Sequence, residues 1–132
     1  MKYVIDTHAF IWFLEGNLRL GSNAKTILSN PESQLVIPAT ALAEAVWIVE
    51  RGRTSISSAT ALLSAVNADS RVMVHPLDIN VIQQTIGLSA IAEMHDRQIV
   101  ATAIFLANQG ETVVLLTCDQ NITASGLVTI AW

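Results

Sequence analysis

The chain has 132 residues, enough for one domain of ordinary size, and a composition of 52% hydrophobic against 14% charged residues that excludes long disordered stretches. Its formal net charge of −4 is the wrong sign for a generic polyanion binder, although a net charge is a sum over the surface and not a map of it. The longest stretch without charge, Thr54 to Ala68, is broken by Ser, Thr and Asn, so neither a spanning helix nor any other membrane association is expected. Asp6 and His8 interrupt the apolar start, which speaks against a secretory signal. A single cysteine, Cys118, forbids an intrachain disulfide and makes a reducing, cytoplasmic setting the default. So high an apolar fraction also suggests that a partner covers part of the surface.

In chain order, the run Lys2–Ile5 reads as a buried strand, followed by a helix on which Phe10, Phe13 and Leu14 make the core stripe. Gln34–Ile37 is a second strand. A helix begins near Pro38, with Leu42, Ala45, Val46 and Val49 on its apolar face and Thr40, Glu44, Trp47, Ile48 and Arg51 on the other. Ser55–Ala68 is expected to be helical, opened by Thr or Ser near Thr54. Arg71–His75 is a weaker strand, ended by His75. Asp69 belongs to a turn, and Asp78 is placed to cap a helix through Val81 and Ile82. Ile99, Ala103 and Leu106 mark a helix starting around Arg97; Thr112–Thr117 and Leu127–Ala131 complete the strands.

The main runs are continuous rather than alternating, as in parallel strands covered on both faces. No Asn-Gly or Asp-Gly hairpin separates them. Strands alternating with helices imply right-handed crossovers and a three-layer α/β/α sandwich, residues 1–132 forming one domain.

Ligands of open α/β sheets collect at the carboxyl ends of the strands. Asp6 directly follows Tyr3-Val4-Ile5, and Asp119 follows Leu116-Thr117-Cys118, so both belong to one sheet edge. Glu44 lies early on the helix after the second strand, and Asp96 stands at the start of a later one. Each acid has an ordinary structural reading: Asp96 as a helix N-cap, Asp119 as a turn former, Glu44 as a solvated residue. Together they point elsewhere, because carboxylates this close repel one another unless a cation intervenes. A hard-oxygen donor set selects Mg²⁺ or Mn²⁺. His8, His75 and His95 lack a metal-like grouping, and Cys118 reads as a small buried hydrophobe beside the site.

Four segments carry a family resemblance. Ile5-Asp6-Thr7-His8 resembles the opening motif of PIN-domain nucleases, and Glu44 matches their second acid. His95-Asp96-Arg97-Gln98-Ile99-Val100-Ala101-Thr102-Ala103 is similar to their third motif, and Leu116-Thr117-Cys118-Asp119 to their last. Within that family the sequence is most similar to VapC-type toxins of toxin–antitoxin pairs. The resemblance implies a five-stranded parallel sheet in the order 3-2-1-4-5 and Mg²⁺- or Mn²⁺-dependent cleavage of RNA to 5′-phosphate and 3′-hydroxyl ends. It carries the catalytic and metal-binding roles onto Asp6, Glu44, Asp96 and Asp119, with Thr7 and Thr117 as hydroxyl support. Asn121 stands where some relatives have a further acid, which weakens a second metal position. The resemblance also implies a small VapB-like antitoxin as partner and a homodimer.

Arg51, Arg53 and Arg97 are candidate RNA phosphate contacts, against the alternative of a solvated surface. Trp12 and Trp47 are candidates for an antitoxin groove or dimer contact, against ordinary core packing. A haloacid-dehalogenase-type phosphatase would need a second Asp where His8 stands, and a suitable lysine beyond Lys2 and Lys25. A PIN-like nuclease of RNA processing or DNA cleavage, and a catalytically idle binding module, remain as alternatives.

Overall fold

A computed structural model describes residues 1–132. The strands β1 (Lys2–Ile5), β2 (Gln34–Pro38), β3 (Val72–His75), β4 (Val113–Leu116) and β5 (Ile130–Ala131) form one parallel sheet in the order β3-β2-β1-β4-β5. Helices lie on both sides: α1 (Thr7–Glu15), α2 (Ser22–Ser29), α3 (Ala39–Glu50), α4 (Ala59–Ala68), α5 (Ile79–Gln84), α6 (Met94–Asn108) and α7 (Gln120–Ser125). The expected architecture and strand order are therefore the observed ones.

The chain moves outward from β1 through β2 to β3, then returns to lay β4 against the other side of β1. The sheet thus has its switch point between β1 and β4, where the connections diverge and leave a crevice beyond the strand ends. Register aligns the two strands: Ile5 pairs with Leu116, and the Asp6 amide donates to the Leu116 carbonyl at 3.2 Å. Burial pins that register, since Val4, Ile5, Leu115 and Leu116 are all within the core.

Several boundaries differ from the sequence expectation. The helix expected over Ser55–Ala68 begins only at Ala59, because the Ser58 hydroxyl accepts from the Ala61 amide and caps it there. Residues before it form a loop in which the Thr54 hydroxyl accepts from the Ile56 amide. The helix expected from Arg97 begins three residues earlier, at Met94. On α1 the buried face is Ala9, Phe10 and Ile11, while Leu14 is exposed beside the Gly16 cap, whose φ of 65° a glycine adopts without strain. The final strand shrinks to Ile130–Ala131, and β3 leaves Met73 and Val74 exposed at the sheet edge.

Candidate active site

Asp6, Glu44, Asp96 and Asp119 all line one cavity of about 420 Å³ at the β1/β4 switch point. Asp6 and Asp119 reach it from strand ends, and each also caps the helix that follows. Asp6 Oδ1 accepts from the Ala9 amide at 2.8 Å, and Asp119 Oδ1 from the Ile122 amide at 3.0 Å. A capping aspartate engages one oxygen and keeps the other for a ligand. Glu44 enters from α3, where the buried Thr7 hydroxyl donates to its Oε1 at 3.2 Å. Thr117, fully buried, accepts the Asp119 amide at 3.1 Å and so shapes the turn that carries this acid.

Asp96 is not the N-cap of its helix. Glu93 is: its Oε2 accepts the Asp96 amide at 2.7 Å, which places Asp96 in the first turn. Glu93 also lines the cavity, and no local signal marked it, since glutamate is not a preferred cap. His95 stands on the rim, its Nδ1 3.3 Å from Glu93 and 3.6 Å from Glu44.

The electrostatics are those of crowded acids. Burial first, and then the charges of Asp119, Glu93, Glu44 and Asp6, together raise the Asp96 carboxyl to about 6. Asp6 is also raised, chiefly by burial, with the Thr117 hydroxyl and Ala9 amide pulling it back. Glu44 is raised by burial and drawn down by His95 and Thr7. No three of these side chains converge on a point at coordination distance. The donor chemistry nonetheless fits a hard divalent cation: the four carboxylates supply oxygen alone, and a cation would relieve the repulsion that lifts Asp96.

The remaining candidates scatter. Asn121 is exposed on the first turn of α7, and the cavity does not include it. Cys118, expected to be buried, is exposed at the cavity mouth because the chain turns outward there toward α7. Arg97 is half-buried and its Nε donates to the Ile91 carbonyl. Arg51 stacks on Trp47, its guanidinium carbon 4.3 Å from the ring centroid. Arg53 lines a second groove with Trp12. Trp12 is half-buried and meets Trp132 edge-on at 5.9 Å. Trp47 is 55% exposed and lines an apolar groove of about 560 Å³ that shares Glu44 with the acid cavity. His75 packs on Phe105 at 5.6 Å, away from the acids.

Residues 3–124 match the family described as PIN domain. The chain belongs to the PIN domain family. No curated protein matches it. Among solved structures, this PIN domain is similar to a chain of VapBC2 from Rickettsia felis bound to a promoter DNA fragment. The two are 14% identical, with a TM-score of 0.71 over 99% of this chain and 98% of that one. A chain of DNA-bound VapBC from Salmonella typhimurium gives 16% identity and a TM-score of 0.69, covering 99% and 97% of the two chains. Mycobacterium tuberculosis VapC20, described as a sarcin-ricin loop cleaving toxin, gives 16% identity and a TM-score of 0.67, covering 96% and 97%. At such identities these likenesses speak to the fold. No helix is long and apolar enough to cross a membrane.

Proposed function

We propose that this PIN domain is a metal-dependent endoribonuclease, acting in the cytoplasm as the toxin half of a toxin–antitoxin pair. The observation that carries the proposal is the single cavity holding Asp6, Glu44, Asp96 and Asp119, with burial and mutual repulsion raising Asp96 to about 6. Perturbed acids gathered at a switch-point crevice mark a functional site, and oxygen donors alone mark one for a hard cation.

These four side chains would hold Mg²⁺ or Mn²⁺. Such an ion supplies Lewis-acid activation of water and neutralises charge developing on a phosphodiester. The chain's own residues set the stage: Thr7 fixes the Glu44 carboxylate, Thr117 fixes the turn before Asp119, and Glu93 anchors the first turn that presents Asp96. His95 stands beside Glu44, its Nδ1 3.6 Å from that carboxylate.

The toxin reading draws support from VapC20, described as cleaving the sarcin-ricin loop, and from the neighbours named as VapBC. A VapB-like antitoxin segment is assigned to the apolar groove around Trp47, whose indole is exposed beside Leu77 and Glu44. A homodimer is part of the same reading, its contact falling on the apolar residues Ile79, Ile82 and Ile86 that α5 and the turn after it leave exposed.

The test is cleavage of a labelled structured-RNA pool by purified protein with Mg²⁺, Mn²⁺ or EDTA, beside Asp6→Asn. Metal-dependent cleavage lost in the variant supports the reading. Absence of cleavage by folded, antitoxin-free protein in either metal overturns it.

A further inference from the structure

A carboxylate-lined cavity repels the polyanion it is proposed to cut, so cations must stand near it to hold the strand. The acid cavity adjoins a groove of about 590 Å³ between the end of α1 and the turn after α3, with His8 and Trp12 lining both. Arg19 and Arg53 line this groove, and neither pairs with a carboxylate. The Lys and Arg ion pairs of the chain lie elsewhere: Lys2 with Glu111 at 3.2 Å and Arg71 with Asp69 at 2.8 Å.

The one acid in the groove, Glu15, is already engaged. Its Oε2 accepts the Ser55 amide at 2.8 Å and the Ser55 hydroxyl at 3.3 Å, and its Oε1 accepts Asn17 Nδ2 at 3.4 Å. Those bonds tie the turn that carries Arg53 to the end of α1, next to the acid cavity. Arg19 is steadied from the other side, its guanidinium carbon 5.9 Å from the Trp12 ring centroid, and its amide donates to Asn17 Oδ1 at 2.9 Å. Two guanidinium groups without acidic partners, in a chain of net charge −4, therefore line the groove that adjoins the carboxylate site.

We propose that this groove is the track for the RNA strand on one side of the cleavage point, an inference that rests on the ribonuclease reading above. Arg19 and Arg53 bind phosphates next to the scissile one through charge-assisted bonds, and Glu15 is a positioning residue that holds Arg53 in place through Ser55. Trp12, shared by groove and cavity, stands between the two as an aromatic contact for a base.

The experiment is steady-state cleavage of a labelled RNA substrate across a salt series, with Arg19→Gln, Arg53→Gln, the double variant, Glu15→Ala and Glu15→Gln, each checked for an unchanged thermal midpoint. Each arginine variant raises KM by roughly tenfold with a much smaller change in kcat, and lowers the slope of log KM against log salt by about 0.7, the value for one single-strand phosphate contact. Glu15→Ala separates tether from charge: KM rises if Glu15 positions Arg53, and falls if it only repels RNA. Glu15→Gln, which keeps an acceptor, restores most of the wild-type KM. A double variant that cleaves with wild-type KM and salt slope overturns the track while leaving the nuclease standing. Loss of antitoxin affinity with RNA kinetics unchanged also overturns it. A wild-type protein that cleaves no RNA removes the ribonuclease reading and the track together.

Discussion

The Glu93 carboxylate accepts the backbone amide of Asp96 at 2.7 Å, so one acid of the cavity caps the helix that presents another. The two functions separate by substitution. Glu93→Gln keeps an acceptor and removes a charge that pushes the Asp96 carboxyl up. Glu93→Ala removes both, with a cap loss of about 1 kcal/mol, or roughly 4 °C in Tm. Thermal melts of the two variants should differ by that amount, and equal melts would remove the cap from the account.

The raised Asp96 sets a pH dependence of defined sign. Its folded value of about 6 lies above the ordinary 3.8, so the native state holds the extra proton between them. Stability is fullest at the acid end of that window, falls as pH rises through it, and is flat above about 6. Without divalent metal, Asp96→Asn should raise Tm by a few degrees at pH 7 and by less near pH 4.5, while abolishing activity. Mn²⁺ should stabilise the wild type at pH 7 and lose most of that effect below pH 6, where protons compete for the same oxygens. A variant no more stable at pH 7 than the wild type would contradict the repulsion argument.

Thr7 joins the first turn of α1 to Glu44 on α3 through a buried hydroxyl. Thr7→Val keeps the shape and deletes the donor, leaving Glu44 Oε1 without that partner. The expected loss is about 1 kcal/mol of stability with a larger proportional fall in kcat than in KM, while Thr7→Ser retains both. Paired melts and kinetics on the two variants decide it.

Gly21 owes its identity to close approach rather than to backbone conformation. Its φ of −62° suits any residue, but a Cβ there would stand 2.5 Å from the Trp132 carbonyl carbon and 2.6 Å from its indole Cδ1. Gly21→Ala must push Trp132 off α2 and disturb its edge contact with Trp12. A cost of about 2 kcal/mol and altered tryptophan fluorescence are expected; an unperturbed spectrum and Tm would refute the packing.

Trp47 is exposed and stacked only by Arg51 among charged neighbours, so Trp47→Ala should leave Tm within about 2 °C. If the groove it lines receives the antitoxin, affinity for that partner should fall about 30-fold, a hot-spot loss of about 2 kcal/mol. Titration of the cognate antitoxin against both proteins tests it, and equal affinities would remove Trp47 from the interface.

Much of this protein was legible in order and spacing. A continuous apolar run suits a strand buried on both faces, as in a parallel sheet, and an aspartate at its carboxyl end, as after Ile5, then sits at the strand mouth. That local rule determined the sheet and two of the acids, and the family motifs added Glu44 and Asp96. Helix starts were less readable, because several Ser, Thr and acidic side chains compete to cap and only backbone geometry selects among them. Ser58 displaced Thr54, and Glu93 displaced Asp96. What the tertiary structure alone decided is which distant side chains share a space. Arg51 stacks on Trp47, whereas Arg53, two positions on, lines the groove that Arg19 also lines, beside the Glu15–Ser55 hydrogen bonds. Proximity of that kind depends on where loops are tied down, and loop paths are set by through-space contacts that no local periodicity encodes.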